Sequence, residues 1–477
     1  MRKSAGDRGG AGALERFTPR VNFPYLVGVQ LAVNAVRDAF LVVDGPDCMF
    51  LKARHIVGRH DLRSTLLDPS GDHRVAFTGS KGKGGEASSA ADLAARVSRL
   101  PSAGVVVVTA STPCAYPADG PEPPPFETPG GGAPVVRVPG RSLEGDWLDG
   151  YAETMAALAS ALPAGKPGRL DASAVAVVGL VTDRGEGDGA GNVGELGRLI
   201  SALRLRPAAP WLGGARWRDL ARAVEAGTVV SLPGGRKAAR IISQRTGARL
   251  VETDLPLGLE ATTAWIRQVA AAAGSASAGE MIDIELGRAV PALERAVPAF
   301  FLGRRFFLCG DPFTVAGLRR MIVELGGKVT GGILTATRGH LDALDDKGGL
   351  ERFVFEPPSG KLESLRQAAL DAGVDVVLTS SELLDFWREK VPCVNLGFPS
   401  WHHHVFAPTP FLGYEGCLHL AGRIADAVLE APPAVSAAAP PSAGRREGAA
   451  PRRQDRESPT RRPSGGRRGR RGATRSR

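Results

Sequence analysis

The sequence predicts an α/β protein made of three units, each with a parallel sheet covered by helices. Short apolar runs rich in valine alternate with longer segments of helical period, a pattern typical of parallel sheets flanked by helices. The chain has 477 residues, which is enough for two or three domains with separate hydrophobic cores.

The elements follow in chain order. Strands are predicted at residues 40–44, 105–109, 174–181, 228–231, 305–309 and 374–379, and helices at 259–273, 313–325, 362–372 and 416–429. The Pro/Gly-rich stretch 116–139 is expected to be a long loop, and stretches at 163–169 and 274–280 to be boundaries, the second leading into a connecting helix. We therefore expect a flexible N-terminus over 1–19, units over 20–165, 166–278 and 279–430, and a tail over 431–477.

The net positive charge of the chain comes from that tail, while basic and acidic residues balance in the rest of the chain. Residues 431–477 hold 13 arginines against three acidic residues, which accounts for the whole formal charge of +10. The tail has almost no large apolar residues and is predicted to be disordered. Nucleic acid could be contacted only through these arginines, but no aromatic residues stand between them to stack on bases.

The cysteine count and the absence of targeting signals favour the cytoplasm. Five cysteines in a chain of this length do not form a disulfide framework. The first 20 residues lack the apolar stretch of a secretory signal, and no apolar run approaches the roughly 18 residues of a membrane span.

Two cysteines follow predicted strands. Cys48 comes after strand 40–44 and Cys114 after strand 105–109. If these strands share a parallel sheet, both thiols emerge at its carboxyl edge, where open α/β folds bind ligands. Thiolates hold iron-sulfur clusters, and a cluster with four cysteine ligands needs four of them. Other ligands or a second subunit would have to complete the site; the alternative is two packed structural thiols.

The residues around these cysteines resemble the nitrogenase component 1 family, which includes the molybdenum-iron protein subunits and the catalytic subunits of dark-operative protochlorophyllide reductase. The similar segments are 22–28 (NFPYLVG), 44–48 (DGPDC) and 111–114 (STPC). The resemblance continues in the family's order through 191–196 (GNVGEL), 310–312 (GDP), 397–399 (GFP) and 410–416 (PFLGYEG).

The resemblance implies three Rossmann-like domains and an iron-sulfur cluster, expected to be of the 4Fe-4S type, that Cys48 and Cys114 help to hold between paired subunits. The partner would be a second copy of the chain or a sister component 1 subunit. Electrons would come from a separate ATP-dependent iron-sulfur reductase. The glycine-rich segment 79–85 lacks the Gly-Lys-Ser/Thr ending of a phosphate-binding loop, so a partner should hydrolyse the ATP.

Two positions depart from the family pattern. Pro24 stands where many members carry a first cluster cysteine, and the cysteine that holds the iron-molybdenum cofactor aligns with Ser231 or Leu232. No iron-molybdenum cofactor is therefore expected, and a tetrapyrrole-like substrate fits better than dinitrogen. Asp44 and Asp47 beside Cys48 could add a carboxylate ligand, although side chains that stabilise a turn are the simpler interpretation.

Three consecutive histidines, His402, His403 and His404, are the candidate catalytic residues. Imidazoles titrate near neutrality and could supply a proton or bind a metal, and the family's cofactor-binding histidine aligns near His403. Neighbouring side chains on an extended segment point to opposite sides, so the three cannot meet at one ion. A solvated loop is the alternative. A zinc site formed by Cys48 with residues 55 and 60 is disfavoured, because no CxxC pair accompanies them.

Two functions are consistent with these residues. The first is a catalytic-component subunit that relays electrons from the reductase through the cluster to an unsaturated substrate. The second is a non-catalytic scaffold for cofactor assembly, or a regulatory relative, which Pro24 and the missing middle-unit cysteine favour. The remaining cysteines, Cys309, Cys393 and Cys417, are expected to pack in interiors rather than bind metal.

Overall fold

A computed structural model describes residues 20–46, 74–79, 89–111, 131–141, 145–163, 170–181, 187–208, 211–400, 402 and 407–430. This part of the chain contains three parallel sheets flanked by helices, so the predicted fold class is confirmed. Four predicted site residues, Cys48, Cys114, His403 and His404, lie outside the described residues. So do the N-terminus 1–19 and the tail 431–477.

The first sheet has the strand order β2-β1-β3-β4. Its strands are β1 (Ala39–Asp44), β2 (Val75–Phe77), β3 (Val105–Ala110) and β4 (Val135–Arg137). The helices of this part are α1 (Tyr25–Asn34), α2 (Ala90–Val97) and α3 (Trp147–Ala161). The central strands β1 and β3 are almost completely buried, as expected for strands covered on both faces. β4 lies within the stretch 116–139, which is predicted to be a loop. It is a strand because it pairs with β3, and its local sequence does not indicate this.

The second sheet has the order β6-β5-β7-β8. It contains β5 (Asp171–Val178), β6 (Arg206–Pro207), β7 (Ala226–Ser231) and β8 (Arg249–Glu252), with α4 (Gly187–Ala202), α5 (Trp217–Leu220), α6 (Arg236–Thr246) and α7 (Leu259–Ala273). β5 ends three residues before the predicted position. Gly179, with φ of +102°, turns the chain there, and a Cβ on it would lie 2.3 Å from the Gly235 nitrogen.

The third sheet has the order β11-β10-β9-β12-β13. Its strands are β9 (Arg305–Gly310), β10 (Lys328–Leu334), β11 (Val354–Phe355), β12 (Val376–Thr379) and β13 (Cys393–Asn395). Its helices are α8 (Ala278–Phe300), α9 (Pro312–Glu324), α10 (Leu362–Asp371), α11 (Ser381–Trp387) and α12 (Gly413–Leu429). Short 3-10 helices span Ala221–Glu225, Pro233–Gly235, Arg338–Ala343, Leu350–Arg352 and Ser359–Lys361. The predicted connecting helix is α8.

Each sheet has a point at which its strand order reverses direction: between β1 and β3, between β5 and β7, and between β9 and β12. In open α/β sheets, ligands bind outside the carboxyl ends of the strands at such switch points. One continuous cluster of buried apolar residues runs through all three sheets. The division into three units at the predicted boundaries stays a prediction. None of the described helices combines the length and apolar character needed to cross a membrane.

Two glycines let helices α1 and α3 pack with their backbones in contact. A Cβ on Gly28 would lie 1.6 Å from the carbonyl oxygen of Trp147, and one on Gly150 would lie 2.0 Å from that of Tyr25. Larger side chains would force the helices apart. This packing fixes the N-termini of both helices next to each other, where the candidate site begins.

Candidate functional site

The switch point of the first sheet lies between the strands that precede the two candidate cluster cysteines. β1 and β3 pair in register from Ala39 with Val105 to Asp44 with Ala110. The backbone N–H of Ser111 then donates to the carbonyl of Asp44 at 2.9 Å. Cys48 and Cys114 each follow this last pair by four residues. The two cysteine-bearing segments therefore leave adjacent strands at the same edge of one sheet.

Asp44, a candidate carboxylate ligand, belongs to a turn. The Thr78 hydroxyl donates to Asp44 Oδ1 at 2.9 Å and accepts from the backbone N–H of Gly45, also at 2.9 Å. These bonds tie the end of β1 to the chain that follows β2. The structure therefore agrees with the interpretation of Asp44 as a side chain that stabilises a turn. Asp47 lies outside the described residues.

Pro24, at the position of the missing cysteine, lies at the N-terminus of α1. It is the N-cap residue, and it forms an isolated backbone bridge with Asp146. The backbone N–H of Trp147 donates to the carbonyl of Phe23 at 3.1 Å. The lost ligand position is thus occupied by a residue that helps to join α1 to the start of α3.

Asp146 connects α3 to the carboxyl edge of the third sheet. It is the N-cap of α3 in a capping box with Asp149, and its Oδ1 accepts from the N–H groups of Leu148 and Asp149. Its Oδ2 accepts from the backbone N–H of Thr337 at 2.7 Å. His340 Nε2 lies 2.8 Å from Oδ1 and 2.9 Å from Oδ2. One buried carboxylate therefore satisfies donors from two parts of the chain.

The electrostatics of the Asp146–His340 pair favour the ionised form. Burial disfavours both charges, but the hydrogen bond and the negative charge of Asp146 outweigh it and raise the pKa of His340. Burial likewise opposes the charge on Asp146, yet the hydrogen bond from His340, its charge and the Thr337 amide lower the pKa of Asp146. Burial raises the pKa of the neighbouring Asp149.

The donor atoms of Asp146, Asp149 and His340 lie within 4.8 Å of one another, a spacing that a metal ion could bridge. Both Asp146 oxygens already accept backbone N–H groups, and an Asp149 oxygen accepts the N–H of Asp146 at 3.0 Å. A bound cation would have to compete with these capping bonds. We therefore assign the group as an ion pair within a helix cap.

An aromatic cluster joins the first and third sheets beside this pair. Trp147 packs against Phe23 and Phe398 with ring centroids 6.3 and 5.2 Å away, and Phe23 and Phe398 are 6.0 Å apart. The Trp147 indole N–H donates to the carbonyl of Thr335 at 3.1 Å. The segments 22–28 and 397–399, which carry the family resemblance, therefore meet here.

His402 lies beyond the carboxyl ends of β12 and β13 in the third sheet. Its backbone N–H donates to the Ser381 hydroxyl at 3.1 Å, and that hydroxyl donates to Asn395 Oδ1 at 3.0 Å. His402 Nε2 is 3.2 Å from Asp385 Oδ2, and the histidine side chain is 23% exposed. Its position is thus fixed by β13 and α11, and its ring lies beside the Asp385 carboxylate near the surface.

Ser231 and Leu232, one of which is expected from the sequence to align with the cofactor cysteine of nitrogenase, are both buried. Ser231 ends β7, is fully buried, and donates from its hydroxyl to the carbonyl of Leu232 at 3.2 Å. The Ser231 carbonyl accepts from the Arg236 guanidinium at 2.6 Å. Neither Ser231 nor Leu232 offers the thiolate that an iron-molybdenum cofactor needs.

The three described cysteines are buried or half-buried thiols with raised pKa values. Cys309 and Cys417 are buried and Cys393 is half-buried. Burial raises the pKa of the Cys393 and Cys417 thiols to about 12, and raises that of Cys309 further. All three are therefore protonated at neutral pH. The expected interior packing is found for two of them, while Cys393 is partly accessible.

Segments 191–196 and 410–416 interlock at the start of the last helix. The Asn192 side-chain oxygen accepts from the backbone N–H groups of Phe411 and Leu412 at 2.8 and 3.0 Å. A Cβ on Gly191 would lie 2.3 Å from the carbonyl carbon of Thr409. Gly413 has φ of +75°, and its Cβ position falls 2.4 Å from Cγ of Glu195. The similarity of these two segments to the family is therefore explained by the packing between them and not by a catalytic or ligand-binding role.

Sequence reasoning missed the residues at the centre of this site. Asp146 carries a recognisable signal, because it precedes an apolar helix and is followed three residues later by Asp149. His340 carries none: it lies in a short 3-10 helix, and its partner is 194 residues away in the chain.

Comparisons with known proteins point to one family. The family model described as nitrogenase component 1 type oxidoreductase matches residues 122–429. The nitrogenase molybdenum-iron protein beta chain of Frankia alni is 30% identical over 202 residues, covering 41% of this chain and 38% of that one. The beta chain of Clostridium pasteurianum is 26% identical over 181 residues, covering 37% and 39%. The matched region thus spans about two fifths of these relatives.

Similarity of fold extends further along the chain. A solved structure of nitrogenase Cp1 at pH 6.5 superposes with a TM-score of 0.70 at 17% identity, covering 90% of this chain and 94% of that one. A second, of nitrogenase Cp1 at pH 5, gives a TM-score of 0.66 at 12% identity. The family match covers well over half of the chain. The chain therefore belongs to the family of nitrogenase component 1 type oxidoreductases.

Proposed function

We propose that this chain is a cytoplasmic, nitrogenase-like oxidoreductase subunit in which Cys48 and Cys114 bind an iron-sulfur cluster at a subunit interface. Family membership supports an oxidoreductase subunit. The observation that supports the cluster assignment is the in-register pairing of β1 with β3, because Cys48 and Cys114 each follow the last residue pair of these strands by four residues.

The donor set fits a shared cluster. The three described cysteines are protonated and bonded or packed elsewhere, and Pro24 has no ligand atom. Two thiolates from each of two subunits would complete the four ligands of a 4Fe-4S cluster, whether the partner is a second copy or a sister component 1 chain. When bound, the cluster would supply one-electron transfer. An ATP-dependent iron-sulfur reductase would be the electron source.

The residues of this chain would prepare the site in two ways. The cluster of Phe23, Trp147 and Phe398 provides apolar surface that excludes water where the first and third sheets meet. Proton supply to an unsaturated, tetrapyrrole-like substrate would come from the histidine segment. We assign proton donation to one of His402, His403 and His404; the ring of His402 lies 3.2 Å from the Asp385 carboxylate.

Electron paramagnetic resonance of the anaerobically purified protein tests the proposal. Dithionite reduction should produce the signal of a reduced iron-sulfur cluster, and Cys48→Ala and Cys114→Ala should each abolish it. Cys393→Ala is the matched control, because this thiol is half-buried and bonded to the Val391 carbonyl, and it should leave the signal unchanged. An unchanged signal in both test variants would refute the assignment.

A second function is favoured by the same ligand losses. On sequence, Pro24 and either Ser231 or Leu232 align with two ligand positions of the family, and Pro24 and Ser231 have structural roles here. A scaffold for cofactor assembly would bind a cluster and release it, so incubation with an apo-acceptor protein should transfer iron within minutes. A redox subunit should keep its cluster under the same conditions.

A further inference from the structure

A cleft of about 310 Å³ opens in the second sheet, on the side covered by α4. It lies between β5, β6 and the inner face of α4. The residues that line it include Val175, Val177, Leu196, Gly197, Trp211 and Arg222. A cavity of about 150 Å³ accommodates benzene, so this cleft has room for roughly twice that volume.

Gly197 leaves open space on the face of α4 that lines the cleft. Val193, Leu196, Gly197 and Ile200 all line the cleft from α4, a spacing that places them on one helical face directed at the sheet. A Cβ on Gly197 would meet no heavy atom within 4 Å. Glycine weakens a helix interior, and a void between helix and sheet lowers stability. A larger residue at position 197 would therefore be expected to stabilise the fold, unless the space is used for binding.

The walls of the cleft are apolar, with one cation at the edge. Trp211 is buried, and its indole N–H is used in a bond to the Leu220 carbonyl at 3.2 Å, so its ring offers only apolar surface. Among the described lining residues, Arg222 alone is charged. Its side chain is 63% exposed, and its Nη2 atom lies 3.6 Å from Asp219 Oδ1. A guanidinium has five N–H groups, so others can bind a second carboxylate.

We propose that this cleft binds an amphipathic carboxylate: an apolar chain of about ten carbons, or a ring system of that size, with its carboxylate at Arg222. Apolar walls with one polar anchor are typical of small-molecule sites. The anchor being a guanidinium selects a carboxylate over an amine of the same length. The inference is independent of the proposed redox function, because none of its residues lies at the cysteine-bearing edge of the first sheet.

Isothermal titration calorimetry of the full chain with decanoate below its micellar concentration tests the proposal. One decanoate should bind per chain, at least tenfold more tightly than decylammonium. Arg222→Gln should weaken decanoate binding about fivefold, as expected for a partly exposed charge pair. Equal affinity for the anion and the cation, or no binding to the wild type at millimolar decanoate, would overturn the proposal.

A pair of glycine variants on α4 tests the location. Gly197→Leu should fill the cleft and abolish binding, whereas Gly194→Leu is the matched control, because Gly194 lies outside the cleft on the same helix with open space around it. The thermal midpoint of Gly197→Leu should equal or exceed that of the wild type, since the change improves helix propensity and fills a void. Wild-type affinity in Gly197→Leu would contradict the assignment of the cleft.

Discussion

Replacing His340 should destabilise the protein, and more strongly in acid than in alkali. The side chain bonds both oxygens of Asp146, which is 1% exposed, and thereby ties the cap of α3 to the carboxyl edge of the third sheet. His340→Ala removes these bonds. His340→Gln keeps a donor but can never carry a positive charge, so the two variants separate the ionic part from the hydrogen bond.

The magnitude follows from what remains around Asp146. Removing one partner of a buried ion pair costs about 3–5 kcal/mol when the other charge is left bare. Here the carboxylate keeps three backbone N–H donors, those of Leu148, Asp149 and Thr337. We therefore expect a smaller loss for His340→Ala, about 2 kcal/mol, and roughly 1 kcal/mol for His340→Gln.

The direction of the pH dependence follows from the two pKa shifts. The pKa of His340 is raised in the fold, so its ionic contribution is complete below the unfolded value of about 6.5 and is lost as the pH rises through the folded value. The pKa of Asp146 is lowered, so its contribution is present above about 3.9 and is lost as the pH falls through the folded value. Both contributions are present near pH 5.5. As the pH rises through the folded pKa of His340, the imidazole loses its charge and bonds the Asp146 carboxylate as a neutral group, so the ionic contribution is lost.

Thermal midpoints from circular dichroism at pH 5.5 and pH 9 measure this effect. His340→Ala should lower the midpoint by more at pH 5.5 than at pH 9. His419→Ala is the control for the loss of an imidazole, since the Nδ1 atom of that half-buried histidine has no hydrogen-bond partner among the described residues. Equal losses for His340→Ala at the two pH values would refute the ion-pair assignment.

Three further predictions concern packing. Gly28→Ala should lower the free energy of unfolding by more than about 3 kcal/mol or prevent folding, because its Cβ would lie 1.6 Å from the Trp147 carbonyl oxygen. Gly194→Ala, with open space around it, should raise the thermal midpoint slightly, and equal midpoints in the two variants would refute the close packing at Gly28. Asn192→Leu leaves two backbone N–H groups unpaired at the start of α12 and should cost about 3 kcal/mol in urea unfolding; a loss near zero would refute this role. Cys309 should resist iodoacetamide in the native state and react after unfolding, as peptide mass spectrometry can show; native labelling would contradict its burial.

The sequence predicted the elements whose character is local. The helix at 259–273 was placed with its observed bounds, because glycines flank it: Gly258 precedes it, and Gly274 with φ of +73° ends it. The central strands are apolar runs bounded by turn residues, and β1 and β9 differ from their predicted spans by one residue at one end. Local propensity and tertiary structure agree at these places.

The missed features depend on contacts that are distant in sequence. β4 and β6 contain three and two residues, too few to give a periodic signal, and they are strands only because β3 and β5 pair with them. The partnership of Asp146 with His340 arises when α3 meets the third sheet, so no spacing rule could identify it. The cysteine segments were placed at one sheet edge by assuming that their strands share a sheet, and the pairing of β1 with β3 confirms that step.

The most direct measurement is the amount of iron and acid-labile sulfide per chain after strictly anaerobic purification, for the wild type, Cys48→Ala and Cys114→Ala. A 4Fe-4S cluster shared by a symmetric pair of subunits predicts about two irons per chain in the wild type and a loss of iron in both variants. A wild type without iron after reconstitution, or full iron in both variants, would contradict the assignment of Cys48 and Cys114 as cluster ligands.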